Sequence, residues 1–116
     1  GYDEIEQYAF FCRAVLNAIP NLDFTPDVIH CHDWQTAMIP MLARTQYPGA
    51  MQENIRFLLT IHNIAFQGKC GFDFVQDLLG VDSKYYTPEY MELYGCANFL
   101  KAGCVRTSRF SQWSRG

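Results

Sequence analysis

The sequence of 116 residues lacks the patterns that mark several common protein classes. It has no apolar run of the roughly 18 residues that would indicate a membrane-spanning helix, and its acidic start has no apolar region of the signal-peptide type. Its five cysteines include no Cys-x-x-Cys pair, which argues against a zinc site and a disulfide framework and favours a reducing compartment. The glycine-rich phosphate loops G-x-G-x-x-G and the P-loop are also absent.

Charge is scarce as well, since only 18% of the residues are charged and the net charge is −3. The first 103 residues hold six of the nine basic residues and all twelve acidic ones, and such an acidic body argues against a nucleic-acid groove. Few charges with 16% aromatic residues indicate either apolar surface that another domain or subunit covers, or an aromatic-rich core in one small domain. The start at Gly1 indicates a fragment or a processed chain.

The most informative stretch is residues 27–36, which predicts a short strand that runs directly into a helix. Val28 and Ile29 are β-branched and lie in an apolar run, as is typical of a strand covered on both faces. Asp33 is the expected N-cap of a helix from Trp34 to about residue 45. The end of the strand is crowded with residues of polar or aromatic chemistry, namely His30, His32, Asp33 and Trp34. Ligands bind at such carboxyl ends in open α/β sheets.

A second apolar run, residues 56–61, predicts a neighbouring parallel strand, because about twenty residues with a helix lie between the two runs. The loop that follows it carries His62, Asn63, Gln67 and Gly68. Two parallel strands therefore end in polar, histidine-bearing loops at the same edge of an α/β sheet. Further helices are predicted over residues 2–19, over residues 73–79 closed by Gly80, and from an N-cap at Thr87 to Gly103, and residues 104–116 are expected to be irregular.

Each candidate site residue has a structural alternative. His30 and His32 alternate onto one face of the strand and could share a metal ion, but no third ligand follows at regular spacing, and one of them could instead bond to the backbone. Asp33 could be an acid/base carboxylate, although an N-cap is favoured, and Trp34 could stack on a sugar ring or pack under the loop. His62 and Asn63 could hold a ligand or close their own loop. Gln67-Gly68 places an amide beside a residue that permits close backbone approach.

Four segments, residues 10–16, 26–37, 60–68 and 98–103, resemble in order and spacing the family of bacterial glycogen synthases and plant starch synthases. The resemblance covers residues 2–103 and implies part of the N-terminal, acceptor-side Rossmann-like domain of a GT-B glycosyltransferase. Such an enzyme transfers glucose from ADP-glucose, or sometimes UDP-glucose, to the non-reducing end of an α-1,4-glucan. It retains configuration and needs no metal or other cofactor.

By this resemblance, His32 is the catalytic residue beside the transferred glucose. The substrate-binding residues are Asp33, Trp34, His62, Asn63, Gln67 and Gly68. The expected partners are the glucan, the nucleotide sugar and a C-terminal GT-B domain, and neither a nucleic acid nor a membrane is expected. The expected location is the cytoplasm or a plastid.

The sequence departs from the family in lacking the opening Lys-x-Gly-Gly-Leu loop and the donor-binding domain, so this chain alone is expected to be inactive. Residues 104–116 also diverge and resemble a shifted reading frame or foreign sequence, so we divide the chain at Gly103. Two alternatives stay open: a non-enzymatic glucan-binding or assembly fragment, and a flavodoxin-like or metal-binding α/β domain that uses His30 and His32.

Overall fold

The computed structural model describes residues 2–47, 49, 54–106 and 109–112. In these ranges helices pack against one face of a three-stranded parallel sheet, and the chain also forms a small three-stranded antiparallel sheet. The elements in chain order are helix α1 (Tyr2–Ala18), a 3₁₀ turn (Ile19–Asn21), strand β1 (Val28–His32), helix α2 (Asp33–Gln46), strand β2 (Arg56–Ile61), strand β3 (Lys69–Cys70), helix α3 (Phe72–Leu79), a 3₁₀ turn (Ser83–Tyr85), strands β4 (Glu92–Leu93) and β5 (Cys96–Asn98), helix α4 (Phe99–Arg106) and strand β6 (Arg109–Gln112). None of the helices in the described ranges is long and apolar enough to cross a lipid bilayer.

The parallel pairing of β1 with β2 is confirmed. The register places Val28 opposite Arg56 and His32 opposite Thr60, and α2 lies in the connection between the two strands. The short helix closed by Gly80 is also confirmed, because Gly80 has φ +65° and its N–H donates to the last turn of α3. The carboxyl ends of both strands therefore meet at one edge, as the apolar runs predicted.

The prediction that β1 is covered on both faces is wrong for the part of the chain that the structure describes. Cys31 is buried and Ile29 is half-buried on one face, whereas Val28, His30 and His32 are exposed on the other. The buried face joins a core formed with α1 and α2, which includes Ala9, Leu16, Met38 and Leu42. Apolar character alone predicted two covered faces, but both packed helices lie on the same side of the sheet.

The helix predicted from Thr87 to Gly103 is also wrong, because a β-hairpin precedes the much shorter α4. Tyr94 and Gly95 form its two-residue turn with φ +53° and +79°, the conformation that a type I′ turn requires. Thr87 caps no helix: its carbonyl accepts from two amides of a local turn, and its hydroxyl is buried without a partner. The residue at the start of α4 is Asn98, whose Oδ1 accepts from the Lys101 N–H at 2.9 Å.

The segment expected to be irregular, residues 104–116, contains regular structure where it is described. Helix α4 continues to Arg106, and β6 pairs in parallel with β2, with Leu58 opposite Arg109 and Ile61 opposite Gln112. Residues 107, 108 and 113–116 lie outside the described residues, and the domain division at Gly103 stays a prediction. The sheet order is β1-β2-β6, so β2 is its central strand.

Candidate functional site at the carboxyl ends of the central strands

Three imidazole rings, those of the only histidines of the sequence, lie close together near the carboxyl ends of β1 and β2. His30 and His32 share the exposed face of β1, as alternation predicted, with ring centroids 4.1 Å apart. His62, directly after β2, lies nearly parallel to His32, with centroids 5.4 Å apart and 22° between the ring planes. We call His30, His32 and His62 the histidine ladder. The parallel register brings it together, because Thr60 is opposite His32 and residue 62 follows two positions later.

Two polar side-chain contacts hold the rings of the histidine ladder in place. Thr60 Oγ1 lies 2.8 Å from His30 Nε2, and His32 Nδ1 lies 3.2 Å from His62 Nε2. The first contact joins β1 to β2 within the sheet, and the second joins β1 to the loop after β2. His30 thus has the structural bond that the sequence analysis proposed for one of the pair, although its partner is a side chain and not the backbone.

The pKa of His32 is lowered from its ordinary value of 6.5. Desolvation by the surrounding groups is the largest cause, followed by repulsion from His30 and His62, while the carboxylate of Asp33 acts in the opposite direction. His32 is therefore a neutral imidazole at pH 7. A neutral ring has one N–H donor and one acceptor nitrogen, which is the chemistry needed to orient hydroxyl groups.

Asp33 does not cap α2, contrary to the prediction. Its backbone has φ +58°, and its Oδ1 accepts hydrogen bonds from the backbone N–H groups of His62 (2.6 Å) and Asn63 (3.2 Å). The start of α2 is held by Thr36, whose hydroxyl accepts from His32 N at 2.7 Å and donates to His32 O at 2.9 Å. The carboxylate therefore ties the end of β1 to the loop after β2, which local sequence signals could not show.

Trp34 packs under the loop. Its side chain is buried, and its ring contacts Tyr8 of α1 in an edge-on arrangement with centroids 5.4 Å apart. A Cβ added at Gly68 would lie 2.6 Å from Trp34 Cε3, so the loop backbone passes directly against the indole. Gly68 thus permits a close backbone approach, and the group approached is the indole of Trp34.

Both ends of the Gln67 amide help to hold the same loop. Its Nε2 donates to Ile64 O at 2.9 Å, and its Oε1 accepts from Asn98 Nδ2 at 2.7 Å. The backbone carbonyls of Gln67 and Gly68 accept from the first N–H groups of α4. Sequence reasoning did not assign a role to Asn98, which is 1% exposed. A polar residue just before an apolar helical run was the signal that could have identified it.

A cavity of about 280 Å³ lies between the starts of α1 and α2 and the loop, and its lining includes Asp33 and Asn63, the chain neighbours of His32 and His62. It is lined by Glu4, Asp33, Trp34, Gln35, Asn63 and Phe66. Three of these were predicted site residues, whereas Glu4, Gln35 and Phe66 were not. Phe66 is 64% exposed, so its ring is available at the rim. Carboxylate, amide and aromatic groups around one cavity form a lining that can bind a sugar through its hydroxyl groups and its apolar face.

Metal ligation has less support in this geometry. Across the described parts of the chain, no three His, Cys, Asp or Glu side chains are grouped so that they could hold a metal ion. His30 and His32 do share a face, but a lasting zinc site needs three or four ligands.

Sequence comparison places the chain in a family. The model of the starch synthase catalytic domain matches residues 1–115. The chain belongs to this family. Among family members, the glycogen synthase of Geobacillus stearothermophilus is 47% identical over 105 residues, which cover 90% of this chain and 22% of that protein. The glycogen synthase of Lachnoclostridium phytofermentans is 43% identical over the same shares of both chains.

A solved family structure agrees with the fold. The catalytic domain of starch synthase IV from Arabidopsis thaliana, bound to ADP and acarbose, superposes with a TM-score of 0.84 at 26% identity. The match covers 95% of this chain and 23% of that one. The chain thus spans less than a quarter of the length of these relatives. The predicted family and the α/β fold with a parallel sheet are confirmed, while the roles of the individual site residues stay predictions.

Proposed function

We propose that this chain supplies the acceptor-side wall of the active site of a glucosyltransferase that extends an α-1,4-glucan. The observation that carries the proposal is the position of the histidine ladder and the adjoining cavity at the carboxyl ends of two parallel strands, in a chain that belongs to the starch synthase family. Polar groups gathered at this edge of an α/β sheet are where ligands bind.

ADP-glucose is the proposed donor, with UDP-glucose as the alternative. The relative solved with ADP supports an adenine nucleotide, and its bound acarbose supports a saccharide ligand. The described part of this chain has an exposed neutral imidazole and carboxylate and amide groups beside it, which suit a glucosyl group better than a diphosphate. We therefore assign the nucleotide mainly to a C-terminal GT-B domain of the whole enzyme.

The proposed roles follow from the contacts. His32, as a neutral ring at the end of β1, hydrogen-bonds the transferred glucose, and Asn63 and Trp34 line the cavity that receives sugar. Asp33 and His62 hold that wall in place through the Oδ1 contact, and Gln67 and Gly68 anchor the loop from behind. A preorganised wall lowers the barrier because the groups do not have to reorient in the transition state.

The chain alone is proposed to bind glucan without turning it over, because charge that develops on the leaving nucleotide must be stabilised from the other domain. The test combines two measurements. Amide NMR shifts with maltooligosaccharide should change at Gln35, Asn63 and Phe66, and labelled ADP-glucose with glycogen should give no incorporation above a boiled control. Shifts confined to other surfaces would contradict the proposed site, and incorporation would contradict the proposed division of labour.

In the whole enzyme, His32→Ala is expected to lower turnover by roughly 10²-fold while leaving the thermal midpoint nearly unchanged. His30→Ala is the matched comparison: it removes the contact with Thr60 and should lower the midpoint more than the rate. A reversed pattern would exchange the two roles. The expected location of the whole enzyme, cytoplasm or plastid, stays a prediction.

A further inference from the structure

The His32 ring contacts another imidazole, and a direct contact between ring nitrogens has a specific chemical consequence. His32 Nδ1 and His62 Nε2 are 3.2 Å apart, which is hydrogen-bond distance. A neutral imidazole carries hydrogen on only one of its two nitrogens. The contact is therefore a bond only when one of the facing nitrogens has hydrogen and the other does not.

We propose that His62 is a positioning residue that fixes the tautomer of His32 through one hydrogen shared between His32 Nδ1 and His62 Nε2. Its catalytic consequence rests on the proposed function, but the shared hydrogen does not. If His62 Nε2 donates, His32 Nδ1 accepts and His32 Nε2 must carry hydrogen. If His32 Nδ1 donates instead, its Nε2 is an acceptor. In both cases one hydrogen lies between the facing nitrogens, so the tautomer of His32 is tied to that of His62.

The backbone holds His62 where this contact requires it. The His62 N–H donates to Asp33 Oδ1 at 2.6 Å, and Asp33 directly follows His32 in the chain. The neighbouring Asn63 N–H donates to the same oxygen. The carboxylate thus fixes the start of the loop relative to the end of β1, and with it the distance between the two rings.

The ring of His30 lies at a centroid distance of 4.1 Å from that of His32 and is itself in contact with Thr60. His32 therefore has two imidazole neighbours that are each held by a further contact. Rotation of its ring would break the Nδ1 contact and disturb the stacking. This is the arrangement expected of a ring that must present one particular nitrogen.

The ionisable groups around His32 come from three elements: His30 on β1, Asp33 at the start of α2, and His62 in the loop after β2. Glu4 of α1 shares the cavity with Asp33.

For the proposed reaction, a fixed tautomer decides whether His32 donates to a sugar hydroxyl or accepts from it. A ring that is already in the correct state needs no reorganisation when the glucosyl group arrives. His62 would then affect the rate through His32 without touching the substrate itself.

The test uses ¹⁵N shifts of the imidazole nitrogens in this chain at about pH 9, well above the ordinary histidine pKa. Three histidines give three ring systems, so single substitutions assign all of them. In the unaltered chain we expect complementary states, with hydrogen on one of the facing nitrogens, His32 Nδ1 or His62 Nε2, and none on the other. In His62→Phe, which keeps a ring but removes its nitrogens, His32 should become a mixture of tautomers.

His30→Gln is the matched control, because it removes the other neighbouring imidazole and leaves the shared hydrogen in place. The tautomer of His32 should stay the same there, while its pKa rises because a repelling charge has been removed. Identical states on the two facing nitrogens of the unaltered chain would overturn the proposal. So would an unchanged His32 tautomer in a folded His62→Phe chain, or in His62→Leu if the first variant does not fold. No sugar or nucleotide is present, so failure of the proposed function would leave this result unaffected.

Discussion

Gly68 offers a direct measurement of how tightly the loop is packed on Trp34. Replacement by alanine adds one carbon, which would lie 2.6 Å from Trp34 Cε3 and 3.1 Å from the Cβ of Phe99. Both neighbours are buried, with exposures of 7% and 1%, so neither side chain can move into solvent. The backbone also has φ +67°, which is unfavourable for any residue with a Cβ.

The expected magnitude has two parts. A left-handed backbone costs about 1 kcal/mol for a non-glycine residue, and insertion of a carbon into a packed region costs about 1–3 kcal/mol. Gly68→Ala should therefore lower the free energy of unfolding by about 2–4 kcal/mol, a large part of the roughly 5–15 kcal/mol that a domain has in total.

Gly80→Ala is the matched control for this measurement. Gly80 has φ +65°, and nothing lies within 4 Å of an added Cβ, so only the backbone cost of about 1 kcal/mol applies. Urea unfolding followed by circular dichroism would give both free energies. The difference between the two variants isolates the contact with Trp34. If Gly68→Ala and Gly80→Ala lose the same free energy of unfolding, the loop can move away from Trp34 at little cost, and its close packing does not stabilise the fold.

Three further predictions concern charge and protonation. Asp33→Ala removes the acceptor of two backbone N–H groups and should lower the free energy of unfolding in urea by about 2–4 kcal/mol. Asp33→Asn keeps an acceptor oxygen and should lose less than half of that, so equal losses in the two variants would contradict the role of Oδ1. The pKa of His32 is lower in the folded chain than its ordinary value of 6.5, so the unfolded chain binds more protons, and the free energy of unfolding should fall as the pH drops below 6.5. In His30→Gln the dependence of this free energy on pH should be weaker, and an unchanged dependence would argue against the ladder as its source. Burial raises the pKa of Cys12 and Cys31 from 9.0 to about 12, so their thiolates at pH 8 are about a thousandfold scarcer than those of exposed thiols. Mass spectrometry should therefore find that iodoacetamide alkylates the half-exposed Cys96 well before either of them.

The predictable parts of the fold are those in which a pattern of apolar and polar residues repeats along the chain. Two apolar runs separated by a helix-length connection specified the parallel pair β1 and β2, and the polar residues after each run specified the edge where the candidate site lies. Alternation on a strand specified that His30 and His32 share a face. These features depend on residues within a few positions of each other, so sequence spacing contains them.

The hairpin of β4 and β5 was not predictable by the same reasoning. Tyr90, Leu93, Tyr94 and Ala97 recur at three- and four-residue steps and so have the period of a helix. The structure instead buries Met91 and Ala97, with Asn98 hydrogen-bonded to Gln67 from a loop about thirty residues earlier. Long-range contacts of this kind override a local period, and a tyrosine at φ +53° is an uncommon turn residue that gives no local signal.

Asp33 shows most clearly why the site itself needed the structure. Apart from Tyr94 in its hairpin turn, it is the only non-glycine residue with positive φ in the described parts of the chain. A left-handed aspartate costs about 1 kcal/mol or somewhat more, and hydrogen bonds to a charged group contribute about 1.5–3 kcal/mol each. Its two bonds to His62 and Asn63 therefore outweigh the strain. Without those partners an N-cap was the better hypothesis for an aspartate before a helix. With them, the strained backbone lets one carboxylate join the ends of two parallel strands, so that His32 and His62 face each other.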